Sequence, residues 1–487
     1  MKIGKRVQKS GAVYLGFGVL TIGLNAAAWN SAAFSDWYIA HVFPIWVNAY
    51  GRITGLFPFS VGEFLLGAGI GLVAAALLLG AVWLGIGAVK MIRFILRVTG
   101  RKRKNFIREG EASKKEPVSG GEASEEEASK RDSVLEDEAL ESAWGPQIES
   151  ASEGETRDRA SAPEGETLKT AAAEGGPAVS ISRKRSRFAG FTAGFCRFFA
   201  WTVLAVCLIM TLNCFILYHA STFSEHYFGR DDGEYTLEEL ITVYNMTVER
   251  CNYLAGVIAR DEDGTAVYEG SLGADGEILD MADMARELMK RLGEKYPQLD
   301  GYYPRPKALL SSDFMCQQYM QGYYFPFSME ANYNDVMYIL NIPSTMCHEL
   351  AHLRGYIYED EANFIGYLAC VESEDAFFQY AGYLSVLTYL NNDLYKAWKE
   401  TPEAYEKAAA AVPPVAVDNQ VWTDNIFVTE EEWDRINGKA LIDTETVDKA
   451  ADVFIDMNLK INGVADGKIS YSRVVRLLLQ YYRLKAE

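Results

Sequence analysis

Three long stretches without a charged side chain limit what this chain can fold into more than any other feature. Gly11–Trp29 (GAVYLGFGVLTIGLNAAAW), Phe64–Val89 (FLLGAGIGLVAAALLLGAVWLGIGAV) and Phe198–Tyr218 (FFAWTVLAVCLIMTLNCFILY) are each long enough to cross a bilayer as a helix. One such run could be the buried helix of a large core, but three predict a multi-pass membrane protein. The first has a basic start, as a signal peptide does. It is read as a retained helix because two more spans follow.

Lysine and arginine set the expected orientation. Lys2, Lys5, Arg6 and Lys9 precede the first span, and Lys90, Arg93, Arg97 and Arg101–Lys104 follow the second. SRKRSR (Ser182–Arg187) precedes the third. All three clusters are expected on the cytoplasmic side, and the loop carrying only Arg52 faces outward. Three crossings then put everything after His219 outside the cytoplasmic membrane. Residues 1–100 hold two transmembrane helices (about 11–29 and 64–89), and residues 188–220 hold the third. Residues 101–187 form a cytoplasmic loop, acidic between basic flanks, and 221–487 form the folded extracytoplasmic domain.

Much of that loop repeats EGEAS, SEEEAS and PEGET, with almost no aromatic residues. Such a composition buries too little apolar surface to offset chain entropy, which predicts disorder. Across 487 residues, 47 basic side chains face 66 acidic ones, a net −19 that argues against nucleic acid as a partner. No CxxC pair occurs among the seven cysteines, so no thiolate zinc knuckle is expected. After Ser221 the sequence is that of an ordinary domain, mainly helical, with a small strand component between Tyr302 and Tyr333. Thr236 and Thr429, each followed three residues later by glutamate, predict helix starts.

The chemistry concentrates in TMCHELAHLRGYIYEDEANF, Thr345–Phe364, which holds two of the five histidines. His348 and His352 lie one turn apart on a helix, so both imidazoles leave the same face. That pair can bind one zinc ion, with Glu349 beside it as a general base for a polarised water. Pro343 and Gly355 mark the ends of the helix. The spacing HExxHxxGxxH would place a third histidine where Tyr358 stands, so a carboxylate is expected as third ligand. Glu359, Asp360 and Glu361 are the carboxylates at hand.

The EDEANF segment resembles the third-ligand helix of membrane gluzincin peptidases, which include the prenyl-protein (CAAX) endopeptidases and their bacterial heat-shock relatives. The resemblance implies that Glu359 binds zinc, with Glu361 as the alternative ligand. It also implies that Ala362 packs on the zinc helix and that Asn363 orients a histidine. Here Asn363 replaces the aspartate of those peptidases, and the gap after HExxH is shorter. FPIWVNAYGRITGLFPFSVGEFLL, YYFPFSMEANYN, HELAHLRG, EDEANF and YSRVVRLLLQYYR together resemble a bacterial membrane family known only as a domain of unknown function, number thirty-eight ten.

A peptidase needs further groups. The stretch FPFSMEANYN alternates enough to be an extended strand, and Ser328, Met329, Glu330, Ala331 and Asn332 are the expected substrate-pairing edge. Tyr380 and Arg473 are candidate donors to an oxyanion by residue type. The expectation is therefore three transmembrane helices and a mainly helical α+β zincin-like domain. With one zinc ion it would cut peptide or protein near the membrane surface. A receptor or scaffold with a structural or vestigial zinc site is the other class; an intramembrane protease is set aside, because HELAH lies far beyond the third span.

Overall fold

The computed structural model describes residues 2–113, 187–229, 234–273, 276–461 and 472–486. Most of the expected acidic loop lies outside these residues. The chain divides into two units, Met1–Leu77 with Phe191–Glu487, and Leu78–Gly190.

Helix α1 (Lys2–Asn30) is followed by α2 (Ala32–His41), α3 (Phe43–Thr54), α4 (Val61–Ser113) and α5 (Arg187–Met210). Three segments are long and apolar enough to cross a membrane: Gly11–Asn30, Val61–Arg101 and Phe188–His219. They coincide with the three uncharged runs; the first two are almost wholly exposed, as side chains meant for lipid require, whereas 28% of the third is buried, its end packing into the core. Helix α4 runs on past Val89 to Ser113, so the first part of the expected loop is helical. Near its end the third span has one π-helical turn, Thr211–Phe215, where Asn25 of α1 donates to Thr211 Oγ1 at 2.8 Å.

Beyond it come α6 (Phe223–Tyr227), α7 (Leu237–Ala255), β1 (Ser271–Leu272), β2 (Ile278–Leu279) and α8 (Met281–Lys295). Next are β3 (Lys307–Ala308), α9 (Ser312–Gln317), β4 (Gly322–Phe325) and β5 (Glu330–Tyr333). Helices α10 (Ile342–His352), α11 (Glu359–Val371), α12 (Ala376–Glu400), α13 (Pro402–Ala411), α14 (Asn419–Asp424), α15 (Glu430–Lys439), α16 (Thr444–Ile461) and α17 (Ser472–Ala486) complete the order. Thr236 caps α7 in a full capping box with Glu239, and Thr429 caps α15 through the Glu432 N–H, as their spacing predicts. All seven cysteines are free.

At the centre is α10, packed against α8, α11, α12 and the β4–β5 hairpin. Every one of its residues except His348 is buried. Pro343 sits in its first turn, where a missing N–H costs nothing. After His352 the chain turns sharply at Gly355, whose φ is +96°. A Cβ there would also come within 2.7 Å of the Ile39 side chain, so the position takes glycine on two counts.

Two features depart from the sequence expectation. The stretch Phe325–Asn334 is not one strand: β4 and β5 pair antiparallel around a turn, with Met329 at φ +53°. The sheet order is β3-β5-β4, so β5 is its central strand. Ser328 and Met329 lie in the turn, while Glu330, Ala331 and Asn332 are interior, so none of the five is an edge. Alternation misled because the polar residues are buried as well. Glu330 is enclosed by Lys307 Nζ (2.5 Å), the Val61 and Gly62 N–H groups and Ser328 Oγ. It meets neither solvent nor a substrate amine.

The second departure concerns the segment between the first two spans. Tyr38, Ile39, Phe43 and Val47 are buried in the same core as the helices after the third span. Asp36 accepts from the Ser221 N–H and Oγ, and Thr54 Oγ1 donates to the Ser328 carbonyl. Residues 31–60 are thus part of the folded unit and not a connecting loop.

Candidate metal centre

The two imidazoles of α10 meet as their spacing dictates. His348 Nε2 and His352 Nε2 lie 3.0 Å apart. Each ring is fixed from behind: His352 Nδ1 donates to the Tyr356 carbonyl at 2.7 Å, and His348 Nδ1 to Asn363 Oδ1 at 2.8 Å. Protons held on Nδ1 leave both Nε2 atoms as lone-pair donors towards one point, the arrangement metal-binding histidines require.

Glu359, the first residue of α11, completes the convergence. Its carboxylate oxygens lie 3.1 Å from His348 Nε2 and 3.8 Å from His352 Nε2. Glu361 sits two residues further, about 200° around the helix, and therefore points elsewhere. Its Oε1 accepts from the Phe223 N–H at 2.6 Å, in the first turn of α6. Asn363 is one turn beyond Glu359 and shares its face, which brings it to His348. Ala362 is fully buried.

Among the described residues, His348, Glu349 and His352 form a His–Glu–His cluster within metal-binding distance. Glu349 is the less direct carboxylate, its Oε1 being 4.0 Å from His348 Nε2. It is buried, and its Oε2 has no hydrogen-bond partner. Burial raises the Glu349 carboxyl to about 8, with partial opposition from the charge on His348. Burial would lower His348, but the adjoining Glu359 carboxylate outweighs it and holds the imidazole at about 9. His352 falls to about 4 through burial and the charge on His348. Burial opposes the ionised form of Glu359, yet the two imidazoles bring its carboxyl down to about 2. The Glu359 carboxylate thus favours positive charge at the point on which the two Nε2 atoms converge.

These donors fit zinc. Two nitrogens at tetrahedral positions on one zinc would be about 3.3 Å apart, so the observed separation needs only a few tenths of an ångström of opening. The Glu359 side chain is 41% exposed, so the protein does not enclose the cluster on that side.

Close backbone approaches set the geometry, and sequence reasoning passed over them. A Cβ on Gly366 of α11 would lie 2.8 Å from the Ser344 carbonyl and 3.2 Å from the His348 N. Glycine here lets α11 press against α10. A Cβ on Gly322 of β4 would lie 2.8 Å from Glu349 Oε1, so the strand backbone walls off the acid. Glycine inside an element pattern was the available signal for both. The Tyr356 carbonyl, being backbone, left none. Gly366→Ala is expected to destabilise the protein by about 1–3 kcal/mol through overpacking and to weaken metal binding. Thermal melts and metal titration of the purified variant check this; wild-type values in both would show that the helices have slack.

The remaining candidates fall elsewhere. Tyr380 donates to Asp424 Oδ2 at 2.8 Å, in a buried network with Tyr338 and Arg260. That hydroxyl is committed to a carboxylate and does not face the histidines, which corrects its expected role as an oxyanion donor. Arg473 lies exposed on α17, and its charge acts on Asp360 and Tyr358, the neighbours of Glu359 on either side.

The centre also lies against the end of the third span. Tyr358, which precedes Glu359, donates to the Tyr218 carbonyl at 2.7 Å. Tyr324, whose ring centroid is 6.1 Å from that of His352, donates to the Asn213 carbonyl at 3.0 Å.

A family model described as "Protein of unknown function (DUF3810)" matches residues 177–479, more than half of the chain. That range takes in the third span, HELAH and EDEANF, and leaves out the first two spans. No curated protein and no solved structure matches the chain.

Proposed function

The chain belongs to the family described as Protein of unknown function (DUF3810), and we propose that it is a membrane-anchored, zinc-dependent metallopeptidase. One observation carries the reading. Two Nε2 atoms and the Glu359 carboxylate converge beside Glu349, a buried acid with an oxygen bound to nothing. A buried carboxylate oxygen without a partner is costly, and a catalytic task accounts for its retention.

His348, His352 and Glu359 would hold the ion, with Asn363 and the Tyr356 carbonyl fixing the two rings. Zinc, when bound, would polarise the attacking water and the scissile carbonyl. Glu349 would serve as the general base for the attacking water and return the proton to the leaving amine. A pKa raised by burial suits an acid that must both accept and return a proton near neutrality.

A structural zinc would have four protein ligands. What supports an open site is the commitment of Glu361 to the Phe223 N–H, which leaves it unable to close a His2Glu2 set. The same reading places the centre outside the cytoplasmic membrane, where it would meet peptide or protein near the lipid surface. The core that residues 31–60 share with the domain after the third span supports this reading, since three crossings with basic cytoplasmic flanks would put both on one side.

Metal analysis of the purified full-length protein is the test, with one zinc per chain expected. Glu359→Ala is expected to lose most of that zinc and Glu361→Ala to retain it. A wild-type protein without stoichiometric zinc overturns the proposal, and retention by Glu359→Ala overturns the ligand assignment.

A further inference from the structure

Helix α3 is apolar on two opposite faces. Phe43, Val47, Gly51 and Thr54 form its inner stripe and are buried. Ile45, Ala49 and Ile53 lie about half a turn away from them and face outward, followed by Leu56, Phe57 and Phe59. Ile45 and Ile53 are each 61% exposed and Leu56 is 81% exposed, which a water-facing helix would not favour. The outer side of α3 carries Asn48 and Arg52 beside these isoleucines, and its inner face already occupies the core, so the apolar part of the outer side is suited to lipid.

Charge points the same way. Apart from His41, the charged residues between Ser31 and Glu63 are Asp36, Arg52 and Glu63. Two of them turn inward: Asp36 accepts from Ser221, and Glu63 accepts from the Leu310 and Ser311 N–H groups. Arg52 lies over the Tyr302 ring at 4.3 Å. The outward surface is thus nearly uncharged and runs directly into the second span, which begins at Val61.

We propose that α3 and the Leu56–Phe59 turn lie in the bilayer interface as an in-plane lipid anchor, in addition to the three spans. Polar clamps tie this anchor to the sheet beneath the metal centre. Lys307 Nζ donates to the Thr54 carbonyl (2.7 Å) and the Phe59 carbonyl (3.0 Å), and Thr54 Oγ1 donates to the Ser328 carbonyl (3.1 Å). The anchor fixes how far the β4–β5 hairpin, and α10 packed upon it, stand from the lipid. Amphipathic in-plane helices of this kind bury their apolar face at the headgroup boundary.

The test places one nitroxide at a time at Ile53→Cys or Leu56→Cys in a Cys196→Ser/Cys207→Ser background. The full-length protein is reconstituted into phosphatidylcholine–phosphatidylglycerol vesicles, and spin relaxation by oxygen is compared with relaxation by a water-soluble nickel chelate. Ile70→Cys in the second span and Glu406→Cys on the charged helix α13 serve as references. Both test positions are expected to be open to oxygen and shielded from nickel, as position 70 is. Nickel access equal to that at position 406 overturns the proposal in favour of water. Shielding from both reagents overturns it in favour of a protein contact, such as a second copy of the chain. Neither result depends on whether the centre binds zinc.

Discussion

Glu349→Gln is expected to keep one zinc per chain and to lose peptide hydrolysis by about 10²–10⁴-fold, the usual contribution of a positioned general base. The amide has nearly the shape of the carboxylate, and the Gly322 backbone beside it leaves little room for anything larger. What the substitution removes is the capacity to accept a proton. His348→Ala and His352→Ala act on the other half of the site. Each removes one of two nitrogens that face each other at 3.0 Å, and each is expected to lose the metal and activity together. Metal analysis run beside a peptidase assay separates the two classes. If Glu349→Gln lost zinc as completely as the histidine variants, Glu349 would be a ligand. With Glu359 also bound, the centre would then have four protein ligands and no open position, which overturns the peptidase reading.

The parts of this site visible in sequence are those governed by local periodicity. His348 and His352 had to share a face and Asn363 had to follow Glu359 by one turn, because 3.6 residues per turn leaves no alternative, while Gly355 was legible as a helix-stop residue. Span positions were equally legible, since an uncharged run of that length has few other destinations. The choice between Glu359 and Glu361 was not fixed by spacing. It depends on which acid α6 captures, and the Phe223 N–H that holds Glu361 is 138 residues away. Strand position failed for a related reason. Period-two alternation of polar and apolar residues signals one wet face only if the polar face lacks buried partners. Glu330 finds them in Lys307 and in the first turn of a membrane helix nearly 270 residues earlier. The inward face of residues 31–60 was hidden likewise, because its partners follow the third span.

The same buried cluster carries the second large effect, Lys307→Met. Lys307 Nζ spends its three donors on the Thr54 carbonyl, the Phe59 carbonyl and Glu330 Oε1. With side-chain exposures of 7% and 1%, neither Lys307 nor Glu330 has solvent to fall back on. Methionine fills much of the volume but leaves Glu330 charged and without its cation, a change expected to cost about 3–5 kcal/mol. Adding Glu330→Gln removes the stranded charge and keeps one acceptor oxygen, enough for one of the Val61 and Gly62 N–H groups, which donate to separate carboxylate oxygens. The double variant should therefore be more stable than Lys307→Met alone. Thermal unfolding of the detergent-solubilised protein measures both, with a drop on the order of ten degrees for the single variant. Because β5 packs against α10, the single variant should also bind metal more weakly, and the double variant should recover part of that loss. A single variant that melts with the wild type, or a double variant less stable than the single, would mean that water reaches this cluster. The first turn of the second span would then not be clamped to the sheet beneath the metal centre.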